Sequence, residues 1–422
     1  MFRYLIALAA ALACLGLAAC GGDDDDEGTT PGAQTLEPSQ AEGASGDVAW
    51  CIGKDTTGAF TAAIESFNQR NPDLQATLLE LPESADLQRE QQIQRLRAES
   101  SECDVLGMDV IWTAEYAAAG WLYDLTPVVE AEQDGFIPST VETVSYEDKF
   151  WALPFNTNAG FLFYRTDQVA EAPSTWEDVY DQAGQKDGLV YQGQRYEGLT
   201  VNFLELLTSA GGSALSEDGQ TVEIDSPETR EVLEFMADGI ESGAVRKAVT
   251  TYEEETSRRA FEAGNATFMR NWPYAYALGK ESDIADDFDV TTFPGFAGGE
   301  GAGALGGYNL GISSFTDNPD GSLALAEFLV TPEIQKQMMT KASLPATVTA
   351  AYRDPQVRKA LPFAPELLSA VEQAEPRPVS PVYPEISQAI YDNVYDVLSG
   401  DANPDQAAAS MDEQIEAALA RF

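Results

Sequence analysis

Histidine is absent from all 422 residues, and basic residues are scarce: 24 Lys and Arg stand against 70 Asp and Glu. Each shortage removes a class of function. Without histidine there is no Ser-His-Asp or Cys-His catalysis, no imidazole base and no imidazole metal ligand. A net charge of −46 opposes nucleic-acid binding, which needs a basic surface to displace counterions. It equally opposes docking on anionic lipid through protein charge. Beyond residue 19 no apolar stretch is long enough to span a bilayer. What is present is ample apolar material, 44% of residues with 10% aromatic, enough for a packed core. The length suggests two domains.

The N-terminus points to a compartment. One Arg, Arg3, precedes an apolar run over 4–19, short for a membrane helix and suited to a secretory signal. The run closes on Leu17-Ala18-Ala19-Cys20 and two glycines. This resembles a bacterial lipobox, in which Cys20 is lipid-modified and begins the mature chain. The plainer alternative is an ordinary signal peptide that contains a cysteine. Residues 1–19 are thus expected to be a signal peptide and 20–46 a lipidated tether, which places the protein outside the cytoplasm on the cell membrane. Residues 21–46 hold no aromatic and no basic residue, the composition of a disordered spacer. The acidic run 23–26 reads as part of that self-repelling spacer rather than as a metal site.

Cys14 falls in the signal and Cys20 is the candidate anchor, which leaves Cys51 and Cys103. In an exported protein such a pair is most simply a disulfide, with two buried thiols as the alternative. From residue 47 the pattern alternates. An apolar strand over 47–53 leads to a helix, capped by Thr56 or Thr57, that runs to residue 70. A strand at 74–81, an amphipathic helix at 84–100 and a nearly continuous apolar strand at 103–111 follow. This β-α-β-α-β order predicts a doubly wound parallel sheet. In a 2-1-3 strand order the strands carrying the two cysteines are neighbours, within reach of a bridge. Strands at 150–155 and 160–165 are expected around a polar Asn156-Thr157-Asn158 turn. A second α/β stretch begins near Trp176 and includes a strand at 266–270. A glycine-entered strand covers 303–313, and a proline-rich stretch at 375–385 precedes two final helices.

Six strings carry a resemblance: ELPESADLQREQQIQRL (80–96), DVLGMDVIWTAEYAAAGWLYDL (104–125), LPFNTNAGFLFYR (153–165), RRAFEAGNATFMRNWPYAYAL (258–278), GALGGYNLGIS (303–313) and RPVSPVYPEIS (377–387). In number and order they are similar to the solute-binding lipoproteins of carbohydrate ABC importers, family 1, especially the trehalose/maltose-binding type. None is a catalytic motif. The resemblance implies an α/β, two-lobe periplasmic-binding-protein-like fold, each lobe a mostly parallel sheet flanked by helices, with hinge crossovers. Lobe 1 is expected over 47–156 plus about 306–350, and lobe 2 over about 159–300 plus about 355–422. The implied function is capture of a neutral sugar in the cleft, a disaccharide such as trehalose or a related α-glucoside, and its delivery unchanged to an ABC permease. A monomer is expected, with no cofactor, no metal and no nucleic acid, and with membrane attachment through lipid only. The competing readings are an exported glycoside hydrolase, with paired carboxylates such as Asp55 and Asp109 as acid and nucleophile, and a binding protein for a non-sugar solute.

A sugar site needs carboxylates, amides and Arg forks for hydroxyls, and an aromatic surface for the ring's C–H face. Asp109 ends the third strand, where open α/β sheets bind ligands, although a helix N-cap would also explain it. Asp55 and Glu83 follow the first two strands and equally suit helix N-termini. Asn156 and Asn158 are candidate hydroxyl partners against plain turn chemistry. Trp272 precedes Pro273, so it is expected on a loop entering a helix, free to stack on a sugar ring. Gly307, beside Gly306, permits close backbone approach or a bulge. Tyr308 stands where the family commonly has Trp. Arg377 sits in a proline frame that would preorganise a fork for the sugar, against a salt-bridge role.

Overall fold

Val48, Trp50, Cys51 and Ile52 are all buried in β1 (Gly46–Gly53), so this strand is apolar on both faces and belongs inside a sheet. It pairs in parallel with β2 (Leu74–Leu81) on one side and β3 (Val105–Asp109) on the other. The expected 2-1-3 order is therefore present. Cys51 and Cys103 form a disulfide with their Cα atoms 5.6 Å apart. It closes a loop of 52 residues, which stabilises by about 4 kcal/mol in the chain-entropy picture. The structure is a computed structural model that describes residues 33–216 and 219–421.

A short hairpin, β4 (Ser145–Tyr146) and β5 (Lys149–Phe150), leads into β6 (Ala152–Asn158). The remaining strands are β7 (Phe161–Arg165), β8 (Leu189–Val190), β9 (Phe268–Asn271), β10 (Phe288–Thr291), β11 (Ala304–Ile312) and β12 (Glu375–Pro376). The first sheet has the order β12-β11-β3-β1-β2, with β6 also paired to β11; the second is β10-β7-β9-β8. The chain crosses from the first sheet to the second between β6 and β7, through Ala159 and Gly160, and returns between β10 and β11.

Four expectations need correction. The second sheet is mixed, with β7 antiparallel to both β9 and β10 and only β8–β9 parallel. The reason is that β7 enters directly from a crossover strand and not from a helix. The Asn156-Thr157-Asn158 segment is no turn: it lies in β6 and pairs with Tyr308, Gly307 and Gly306 of β11. The helix Ala59–Arg70 has Gly58, at φ 73°, in the N-cap position instead of a threonine; the Thr57 hydroxyl, one residue earlier, accepts from the Ala59 N–H at 3.4 Å, and the Asp55 carboxylate accepts from the Thr61 N–H at 2.8 Å and the Thr61 hydroxyl at 2.9 Å. Finally, residues 33–46, expected as the end of a disordered spacer, are packed. Leu36 is 2% exposed, its N–H donates to the Asp124 carbonyl, and Gln40 donates to Asp320. Leu36, with Ala33, Ala41 and Ala44 packed partly against the core and the Ser45 carbonyl accepting from Asn318, ties down a segment whose overall composition is that of a spacer.

Candidate functional site

The two crossovers bring their polar residues to one place. Because β6 and β11 run antiparallel, Asn158 faces Gly306 and Asn156 faces Tyr308. Gly307 lies at φ +124°, and a Cβ there would stand 2.1 Å from the Asn156 carbonyl oxygen. The pairing itself thus demands glycine at 307. The Tyr308 N–H donates to Asn156 Oδ1 at 3.1 Å, and its hydroxyl donates to Gln88 Oε1 at 3.0 Å. Burial raises the Tyr308 hydroxyl above the ordinary tyrosine range.

Above this floor opens a cavity of about 1200 Å³, measured out to its mouth. All nine residues named from the sequence line it: Asp55, Glu83, Asp109, Asn156, Asn158, Trp272, Gly307, Tyr308 and Arg377. They reach it from different elements. Asp109 ends β3 and caps the short 3-10 turn Val110–Trp112 by accepting from the Ile111 N–H at 3.3 Å. Asp55 and Glu83 stand at the ends of β1 and β2. Asp55 is engaged by Thr61, and Glu83 pairs with Lys54 at 3.2 Å in a solvated contact worth about 1 kcal/mol or less. Trp272 follows β9 and precedes the helix Tyr274–Lys280, as its WP sequence predicts.

Arg377 departs from expectation. Its guanidinium is buried and already occupied: Nη2 donates to Asp109 Oδ1 and Nη1 to Glu197 Oε1, both at 2.6 Å, and Nε to the Leu305 carbonyl at 3.3 Å. The fork thus braces two carboxylates instead of lying open in the cavity. Asp109 keeps Oδ2, which accepts from no described residue.

Glu197 was not read from the sequence as a site residue. It begins the helix Glu197–Ser209 and also accepts from the Tyr383 hydroxyl at 2.8 Å and from the Ser387 hydroxyl. Burial pushes its carboxyl up to about 7, against the opposing pull of Arg377. Gln88 and Glu254 were missed as well. Gln88 is 2% exposed and braces Tyr308; Glu254 accepts from the Tyr196 hydroxyl at 2.7 Å, and burial raises it. A signal for Glu197 did exist: it and Glu205 are the only charges of a helix otherwise apolar or uncharged, EGLTVNFLELLTS. A carboxylate in such a helix calls for a basic partner.

Trp272 is held from behind. The Arg270 guanidinium lies 4.0 Å from its ring centroid. A Cβ at Gly306 would come within 3.0 Å of ring atoms Cη2 and Cζ3, so the ring edge rests on bare backbone. The Trp272 N–H donates to Asn271 Oδ1 at 2.8 Å. Near the ring, Asn158 Oδ1 is buried and has no hydrogen-bond partner among the described residues.

The profile of bacterial extracellular solute-binding proteins matches residues 53–336 of this chain. The chain belongs to that family. This solute-binding protein is 33% identical over 360 residues to a probable ABC transporter-binding protein of Deinococcus radiodurans, covering 80% of this chain and 85% of that one. It is 25% identical over 284 residues to a maltotriose-binding protein of Pyrococcus abyssi, across 64% of this chain and 60% of the other. Among solved structures it resembles maltose-bound MalE3 of T. maritima at 34% identity and a TM-score of 0.84, with 88% of this chain and 99% of that one aligned. The two-lobe fold is thus shared. Among the described residues no helix is long and apolar enough to cross a membrane.

Proposed function

We propose that this protein captures a neutral sugar in the cavity and delivers it, unchanged, to the membrane subunits of an ABC importer. The sugar we propose is a disaccharide, trehalose or a related α-glucoside. The observation that carries this reading is a half-buried Trp272 lining the same cavity as two acceptors, Asp109 Oδ2 and Asn158 Oδ1, that lack partners among the described residues. A sugar ring supplies both an apolar face for the indole and hydroxyl donors for the two oxygens. Asn156 and Tyr308 would extend the polar floor, while Asp55 and Glu83 would sit at the rim. Gly307 would contribute backbone only, and Arg377 would act through Asp109. The relatives named for maltose, maltotriose and ABC transport are consistent with this class of ligand and partner.

The hydrolase reading needs a free acid and a free nucleophile. Asp55 has both carboxylate oxygens engaged, Oδ2 by Thr61 and Oδ1 by the Thr57 hydroxyl, which opposes its donating a proton as the acid of the pair. Calorimetric titration of the purified protein with trehalose, maltose and glucose, followed by recovery of the sugar, tests the proposal. Saturable binding of a disaccharide with the glycosidic bond intact is expected; turnover, or no heat with any of them, would reject it.

The signal peptide over 1–19, the lipidated Cys20 and the tether lie outside the described residues and are part of the same proposal, as is a monomeric state. The lobes are taken as 47–156 plus about 306–350 and about 159–300 plus about 355–422, although β12 joins the first sheet. Cys20→Ser is expected to move the protein from the membrane fraction to the soluble fraction. Retention in the membrane would refute anchoring through that residue.

A further inference from the structure

Arg270 and Glu205 form a bidentate pair with no contact to the cavity. Arg270 Nε donates to Glu205 Oε2 at 2.7 Å and Nη2 to Oε1 at 2.6 Å, while Nη1 donates to Gln192 Oε1 at 3.0 Å. Both residues are 2% exposed, and neither is among the cavity-lining residues. A charge pair at such depth costs desolvation on both sides and is rarely the most stabilising way to fill a core. Its position calls for another account.

The guanidinium carbon lies over the Trp272 ring, 4.0 Å from its centroid. The ring edge abuts Gly306, where any Cβ would crowd it at 3.0 Å. One face and one edge of the indole are therefore taken, and the ring reaches the cavity by what remains. An unsupported indole at a loop–helix junction would sample several rotamers; a flat cation fixed by Glu205 and Gln192 leaves it one.

We propose that Arg270 is a positioning residue that, pinned by Glu205, backs Trp272 and so limits the site to one sugar ring stacked on the indole's cavity face. The proposal rests on the sugar-binding reading and deepens it. Its logic is preorganisation: rotamer freedom removed before binding is not lost on binding.

The test is a double-mutant cycle with a ligand-free arm. Arg270→Met combined with Glu205→Met removes both charges, so no buried ion is stranded. With maltose and trehalose as probes, this variant is expected to raise the dissociation constant about tenfold. In a Trp272→Ala background the same two changes should cost no more than about twofold, because the group they act through is gone. A full tenfold loss in that background would overturn the proposal, as would no loss with Trp272 present. Arg270→Lys serves as the second variant: it keeps the charge beside Glu205 but offers no plane to the ring. It should weaken binding about as much, and wild-type affinity would overturn the proposal.

The ligand-free arm uses fluorotryptophan-labelled protein and fluorine NMR, with the Trp272 resonance assigned through Trp272→Phe. That resonance should shift and broaden in both Arg270 variants without sugar, and an unmoved resonance would overturn the proposal. If Trp272→Ala alone leaves sugar affinity unchanged while the resonance still responds, the stacking on sugar fails and the support of the ring by Arg270 stands.

Discussion

Trp272→Ala is expected to raise the dissociation constant for the bound sugar about 100-fold, close to 2.7 kcal/mol, while the thermal midpoint without ligand falls only a few degrees. The asymmetry follows from where the indole sits. It is half-buried with the Arg270 guanidinium over its ring, and its edge rests on Gly306, so the apoprotein loses modest packing. The ligand would lose the only tryptophan among the cavity-lining residues. The lost contact is broad and apolar, so it should be felt mainly in the dissociation rate. Titration calorimetry on the variant and thermal melts without sugar measure the two halves separately. An unaltered dissociation constant would remove Trp272 from the site, and a large fall in the unliganded midpoint would make it a core residue instead.

Arg377→Met is expected to cost about 3–5 kcal/mol of folding stability, because it strands Asp109 and Glu197 without their shared cation. The loss should depend on pH in a defined sense. In the native protein Glu197 titrates at about 7, above its ordinary 4.5, because burial outweighs Arg377. A carboxyl raised on folding takes up a proton as the chain folds. Its contribution is therefore most favourable below about 4.5 and falls as pH rises through about 7. Without Arg377 the value goes higher still, and the penalty continues to grow into the alkaline range. Chemical denaturation should thus show a larger deficit near about pH 8 than near about pH 5. Adding Glu197→Gln should recover part of the deficit at the higher pH. A loss below about 1 kcal/mol, or one independent of pH, would show that the Asp109–Arg377–Glu197 brace is not the strut described.

The first sheet was legible because its signals are local. Strand β3 is a continuous apolar run, β1 has buried residues on both faces, and the two cysteines fall on strands that the 2-1-3 order makes neighbours. Trp272 was legible for a similar reason: Pro273 must start a helix, which leaves the residue before it at the entrance. The Asn156-Thr157-Asn158 segment was misjudged because asparagines favour turns in isolation, whereas here pairing with Gly306 and Gly307 supplies the missing partners. Residues 33–46 do not read as ordered because composition averages over a segment, whereas their docking depends on a few positions, Leu36 above all, that meet partners distant in sequence.

By itself the sequence determined what this protein lacks and which residues are available: no imidazole chemistry, no basic surface, an exported-looking N-terminus, and nine polar, aromatic or glycine positions suited to a sugar. Those are properties of residue type and short spacing, which a linear chain carries openly. Only the tertiary structure decided how those positions are used. Arg377 became a brace because Glu197, 180 residues away, meets it in the interior. Trp272 acquired a backing because Arg270 and Glu205, 65 residues apart, pair beneath it. Partners at such separations share no local pattern. Their pairing follows from burial, where an ionised group must find its counterion or remain unstable, and burial exists only once the lobes have folded.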